Sequence, residues 1–156
     1  MFYHRRFILF PVISMKSSKE MLYSILKTTQ KDQIQIKSIL ACTMRPSLRN
    51  ILESQLREYD TIESEAHAIA ALRGWELSEA DPMKRLLSNI KTKYTLSRGN
   101  PDTKIANMVI ERSRKEIIAG SQHHQNFGNQ DLHISTLSQK LLDCESATIL
   151  QMERFL

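Results

Sequence analysis

The chain reads as an all-α protein, a four-helix bundle made of two helical hairpins joined by a long crossover. Three observations predict this. Segments at about 20–43, 47–73, 102–127 and 131–155 carry apolar residues at alternating three- and four-residue steps, the stripe that a bundle helix buries. Two tight turns, Met44–Arg45–Pro46 and Gly128–Asn129–Gln130, pair these segments into hairpins. Between the pairs lies the long stretch from Gly74 to Pro101, whereas helix–helix connections usually take about 2–8 residues. Composition agrees: four Gly and four Pro in 156 residues leave few helix breakers, and 41% hydrophobic content suffices for one core.

The first helix places Leu22, Leu26, Thr29, Gln33, Ile36, Leu40 and Thr43 on its stripe. Pro46 and Ser47 start the second, whose stripe is Leu48, Leu52, Gln55, Tyr59, Ile62, Ala66, Ile69 and Arg73. Gly74 supplies the stop, where positive φ is commonly needed. Trp75 is expected to pack over the bundle end. Asp81–Pro82 has the form of an N-cap followed by a first-turn proline. It would open a short connector helix to about Leu96, with Met83, Leu86, Leu87, Ile90 and Tyr94 on one face. Such a helix and its flanks can traverse a bundle, letting the second and third helices run parallel. The third helix carries Ile105, Val109, Ile110, Ile117, Gly120, His124 and Phe127. Asp131 caps the fourth, with Ile134, Leu137, Leu141, Cys144, Thr148, Met152 and Phe155 on its stripe.

Residues 1–14, MFYHRRFILFPVIS, differ from the rest. Arg5 and Arg6 before FILFPVI imitate a signal peptide, but Pro11 interrupts the apolar run and no small-residue cleavage site follows. The stretch is also too short to span a bilayer. The reading adopted is a non-native leader, with translation beginning at Met15, or else a disordered extension. A single domain then covers 15–156, and the formal charge of +5 drops to +3 as Arg5 and Arg6 leave. Cys42 and Cys144 would lie at bundle levels roughly 15 Å apart, too far for a bridge. Two reduced, partly buried thiols and the absence of a spanning segment suggest a cytoplasmic protein.

Pro46–Ser47–Leu48–Arg49 followed by Leu52, Gln55 and Leu56, and closing on Arg73–Gly74–Trp75, resembles the first hairpin of ferritin-like bacterial proteins related to the spore coat F family. From about Leu22 to Leu156 the chain also resembles an uncharacterised ferritin-like family of Gram-positive anaerobes. The resemblance implies a ferritin-like fold, with its long crossover, and a sporulation or stress context, including spore association. It implies no activity.

Ferritin-like di-metal centres use a carboxylate from each of two helices and a Glu-x-x-His pair from each of the others. Each helix here carries a mid-helix acid: Asp32, Glu63, Glu116 and Glu145. Three residues past Glu63 stands Ala66, and three past Glu145 stands Thr148, so the histidines are missing; His67 falls four past Glu63. The second helix's stripe passes through Ile62 and Ala66, which places these acids on the flanks or surface of ordinary helices. These five residues are the metal candidates, for iron or manganese, set against the leading expectation of no cofactor. His123, His124 and His133, with Asp131, form a second candidate for zinc, copper or nickel, or else complement a helix dipole.

From Pro82 to Arg98 there are five basic residues and no acid, while Glu53, Glu58, Asp60, Glu63 and Glu65 crowd the second helix. The connector's charge can face that helix, or meet nucleic acid or an anionic membrane surface. No phosphate loop, nucleophile elbow, Cys-x-x-Cys or His-Glu-x-x-His is present. The sequence therefore points first to a non-enzymatic bundle with a structural or protein-interaction role, by self-association or with another protein. A di-metal or ferroxidase-like bundle and a basic polyanion-binding stress protein are the alternatives.

Overall fold

The computed structural model describes residues 16–77 and 100–156. Four long helices account for nearly all of them: α1 (Ser18–Leu40), α2 (Pro46–Leu72), α3 (Pro101–Phe127) and α4 (Leu132–Met152), with a closing 3-10 turn at Glu153–Phe155. No strand occurs among the described residues. The 1–14 leader, the connector helix with its basic face, and the apolar face around Met83, Leu87 and Tyr94 lie outside them.

Local chemistry sets the helix ends. Ser17 caps α1 by accepting from the Glu20 amide at 3.2 Å. Asn100 caps α3, accepting from the Asp102 amide at 3.1 Å, and Pro101 stands at the first helical position. Asp131 caps α4 through Ile134 N. Gly74 and Gly128, with φ of 67° and 59°, end the second and third helices where a side chain would be strained. The first helix stops at Leu40, short of the predicted 43, and leaves Thr43 exposed. The Arg49 guanidinium donates to the freed Cys42 carbonyl at 3.0 Å, so the turn has its own polar partner.

Polar contacts at each end give the topology. At one end Arg73 pairs with Asp131, its second N–H donating to Oδ1 at 3.0 Å, and Gln130 donates to the Lys16 carbonyl at 3.0 Å. At the other, Arg45 Nε meets Asp102 at 3.2 Å and Thr103 donates to the Phe155 carbonyl at 3.0 Å. Helices α1 and α4 therefore run one way, α2 and α3 the other. The chain leaves α2 at the first end and enters α3 at the second, about 40 Å away for a helix of this length. α1 packs on α2, α3 on α4, and α2 on α4; α1 and α3 approach each other over only a short stretch.

The core follows the predicted stripes with added width. Leu22, Leu26, Ile36, Leu48, Leu52, Tyr59, Ile62, Ile105, Ile134 and Met152 are buried, and so are Met21, Ile25, Ile39 and Ala106 beside them. Trp75 packs against the core at the bundle end, with the Arg73 guanidinium 5.1 Å from its ring centre. Cys42 and Cys144 are free and half-buried. No helix among the described residues is long and apolar enough to cross a membrane.

Leu52 is fully buried, so Leu52→Ala should cost about 2–5 kcal/mol, read as a shift in the urea midpoint at unchanged slope. Asp131 is held down to about 2, first by its hydrogen bond from Arg73. Because its folded pKa lies below the ordinary 3.8, its contribution is present above 3.8 and lost as pH falls toward 2. Asp131→Ala should therefore remove about 1 kcal/mol near neutrality through the lost cap, and unfolding in acid should begin from a flatter baseline than in the native chain.

Candidate functional site: a buried carboxylate pair beside a cavity

Helices α1, α3 and α4 converge on a charged centre. Asp32 on α1 and Glu145 on α4 are buried, 3% and 1% exposed. This corrects the expectation that the mid-helix acids lie on the flanks or surface, because α1 and α4 turn a wider face inward than a single stripe requires. Arg112 on α3 reaches both sides: its Nε donates to Asp32 Oδ1 at 3.0 Å, and its Nη2 lies 3.8 Å from Glu116, one turn further along α3. Among the described residues no donor reaches Asp32 Oδ2 or either oxygen of Glu145.

Two carboxylates buried together cannot both ionise cheaply. Burial, and then the neighbouring Glu145, push the Asp32 carboxyl well above the usual carboxylate range, against the pull of Arg112. Asp32 thus accepts from Arg112 on Oδ1 and keeps a proton that Oδ2 can share with Glu145. Glu116 is also raised, by burial and then by Asp32, with Arg112 and Lys31 opposing. Tyr59 on α2 closes the centre: its hydroxyl lies 3.5 Å from Thr148, and burial drives its pKa well up. Burial pushes the Cys144 thiol up to about 12, so it is no ready nucleophile.

A cavity of about 240 Å³ opens between α1 and α3. Its floor is Met21, Ile25, Leu141 and Glu145, all buried. Its rim carries Lys27 and Ala119, both exposed, and half-buried Lys31, Glu116 and His123. Gly120 makes room on α3: a Cβ there would stand 3.0 Å from Leu142 Cδ2. His123 is held below its ordinary value by burial and then by Lys16, so it adds little positive charge to the rim.

The structure thus brings together three of the five predicted metal candidates. Glu63 is half-buried on α2 and His67 exposed, and no hydrogen bond or ion pair ties either to Asp32, Glu116 or Glu145. Among the described residues no group of three or more His, Cys, Asp or Glu side chains is arranged to hold a metal ion. The second histidine set does not assemble either. His124 Nδ1 lies 3.0 Å from Ser138 Oγ, His123 faces the cavity, and His133 lines a separate groove between α2 and α4. Arg112 is the residue that the sequence reading missed. Its place one helical turn before Glu116 is a common surface pairing, and nothing in the linear pattern shows that it reaches Asp32.

Comparison with known proteins supplies no counterpart: no family model, curated protein or solved structure matches the chain.

The raised Asp32 carries a sign. Its folded pKa exceeds the ordinary 3.8, so the folded chain holds the proton more tightly, and stability falls as pH climbs from 3.8 through the folded value. Asp32→Asn, which imitates the protonated side chain, should flatten that decline. Thermal melts across the acidic and neutral range check this; equal slopes for both chains would mean that Asp32 is ionised in the native bundle.

Proposed function

We propose that the chain is a non-enzymatic ferritin-like helical bundle with a structural or protein-interaction role. The observation that carries this reading is Arg112: its guanidinium occupies the space between Asp32 and Glu116 where a bound cation would otherwise balance the acids. A side-chain cation fixes α1 to α3 permanently and leaves no open coordination position for oxygen chemistry. The antiparallel hairpins, with α2 and α3 parallel across a long connection, support the ferritin-like assignment. They also fit the resemblance to the spore coat F family and its sporulation or stress context.

A partner-binding role draws support from Leu72 and Leu132. Both are exposed, at 89% and 71%, and they stand beside Arg73 and Asp131 at one end of the bundle. Ile69 and Leu137 line the groove next to Leu132. A second copy of the chain or another protein can cover such a patch.

The di-metal alternative retains one observation, the convergence of Asp32, Glu116 and Glu145. Anaerobic Fe(II) and Mn(II) titration of the full chain separates the two readings. Our reading expects no stoichiometric uptake by either the native chain or Glu116→Gln. One or two ions per chain, lost in Glu116→Gln while the helical spectrum is kept, would replace it with a metal-binding bundle. Sedimentation with Leu72→Glu tests the interaction role: a native dimer that the substitution dissociates is the expected result for self-association.

A further inference from the structure

The cavity between α1 and α3 is apolar within and positive at one end. Its apolar wall is Met21 and Ile25 on α1 with Leu141 and Leu142 on α4, while Ala119 and Gly120 keep the α3 side open. Glu145 also borders it, but both of its carboxylate oxygens are sealed inside the bundle. The accessible acid is Glu116, half-buried at the end nearer Arg112, with Arg112 and Lys31 close to it. The other end is built differently. Ser24 and His123 stand there, about two helical turns along α1 and α3 from Lys31 and Glu116. Lys16, half-buried ahead of α1, donates to Ser24 Oγ at 2.6 Å and makes no ion pair among the described residues. His123 is half-buried and lines the cavity, and no hydrogen bond ties its ring to another described residue. Burial, and then the Lys16 charge, hold His123 below its ordinary value. An ammonium with one hydroxyl partner and an imidazole with none thus meet at this end, with no carboxylate paired to them.

An anion with an apolar body matches both parts. Its head accepts from Lys16 and His123 in place of water, and its body covers the aliphatic wall. A small inorganic anion would leave that wall wet, and a purely apolar molecule would leave the two donors without an acceptor. A cation would meet Lys16, Lys27 and Lys31 around the same opening and be repelled. Size narrows the class further. Benzene fills an apolar cavity of about 150 Å³, so 240 Å³ takes, in proportion, about ten non-hydrogen atoms. Octanoate is of that size.

We infer that this cavity binds an aliphatic monocarboxylate of medium chain length, its carboxylate meeting Lys16 and His123 and its chain lying over Ile25, Leu141 and Leu142. The site is on the α1–α3 side of the bundle, away from the groove between α2 and α4, and does not depend on the role proposed for that groove. It calls on no metal and no covalent step. The positive end sets the ligand's orientation, and the aliphatic wall sets its length. A ligand held there touches α1, α3 and α4 together, where α1 and α3 approach each other over only a short stretch.

Calorimetry on the full-length chain with octanoate as probe, and hexanoate, octanol and octylamine as comparators, tests this. Saturable binding of octanoate is expected. Hexanoate should bind about tenfold more weakly, because each buried methylene changes affinity about fourfold. Octanol should also bind about tenfold more weakly, for want of the charge-assisted hydrogen bond. Lys16→Gln should weaken octanoate by a similar factor and leave octanol unchanged. Ala119→Trp, at an exposed position on the rim, plugs the mouth and should abolish octanoate binding in a chain that keeps its helical spectrum. No saturable heat with octanoate, or binding indifferent to Ala119→Trp, overturns the proposal. Octanol or octylamine binding as tightly as octanoate, or octanoate binding unmoved by Lys16→Gln, overturns the anionic head at this end. Hexanoate binding as tightly as octanoate overturns the contact with the aliphatic wall.

Discussion

One guanidinium organises the middle of this bundle. Arg112 holds Asp32 at 3.0 Å and approaches Glu116 at 3.8 Å, tying α1 to α3, which approach each other over only a short stretch. The hairpins α1–α2 and α3–α4 close by ordinary burial of Leu, Ile and Met, and α2 packs on α4 in the same way. On the α1–α3 side the junction adds buried charge, for which geometry and neutralisation matter more than area. Removing the guanidinium would leave three carboxyl groups facing one another. Shedding any one of the acids would leave a lesser imbalance, because the centre already has more acid than base. The asymmetry explains why Asp32 is the group that retains a proton: it is nearly fully buried, and Glu145 is its neighbour.

The ends of the bundle solve a different problem. With α2 and α3 parallel, no tight turn can join the hairpins, so nothing local sets one hairpin's height against the other. Arg73–Asp131 at one end and Arg45–Asp102 at the other supply that register. Both acids sit at helix starts, Asp131 as the cap of α4 and Asp102 in the first turn of α3, where negative charge also complements the helix dipole. Each therefore serves its own helix and the neighbouring hairpin together. Gln55–Gln151 and Lys140–Glu65 continue the same antiparallel ladder between α2 and α4.

Much of this was legible in the residues. Stripes at three- and four-residue steps, Pro46, Gly74, Gly128 and Asp131 are local signals, and each marks a helix face or end within a few residues. The two hairpins followed from turn lengths alone. The charged centre was less legible, for a physical reason. A one-dimensional stripe assigns one inward line per helix, but α1 buries Met21, Ile25, Asp32 and Ile39 on a second line because three helices surround it. Asp32 and Glu145 lie on such widened faces, so counting from Ile62 and Ala66 on α2 could not place them. Glu63 and His67 show the converse: suitable chemistry at a suitable level, turned away by roughly one residue's rotation. No residue-level pattern could show that Arg112 crosses to another helix.

The cavity follows from the same arrangement. Where α3 passes α1, the contact surface is built from small or polar residues, with Ser24, Thr28, Ala119 and Gly120 in place of large aliphatics. Close packing there would need bulky residues, and bulky residues would hold α1 and α3 too far apart for Arg112 to span from α3 to Asp32. The ion pair therefore demands small neighbours, and small neighbours leave a gap. Leu142 leans toward Gly120 without filling that gap. Glu145, 1% exposed, stands at its inner side. A bundle that adds buried charge to the apolar junction of its hairpins thereby acquires an internal cavity, with Glu145 at its inner side and the lysines of α1 at its entrance.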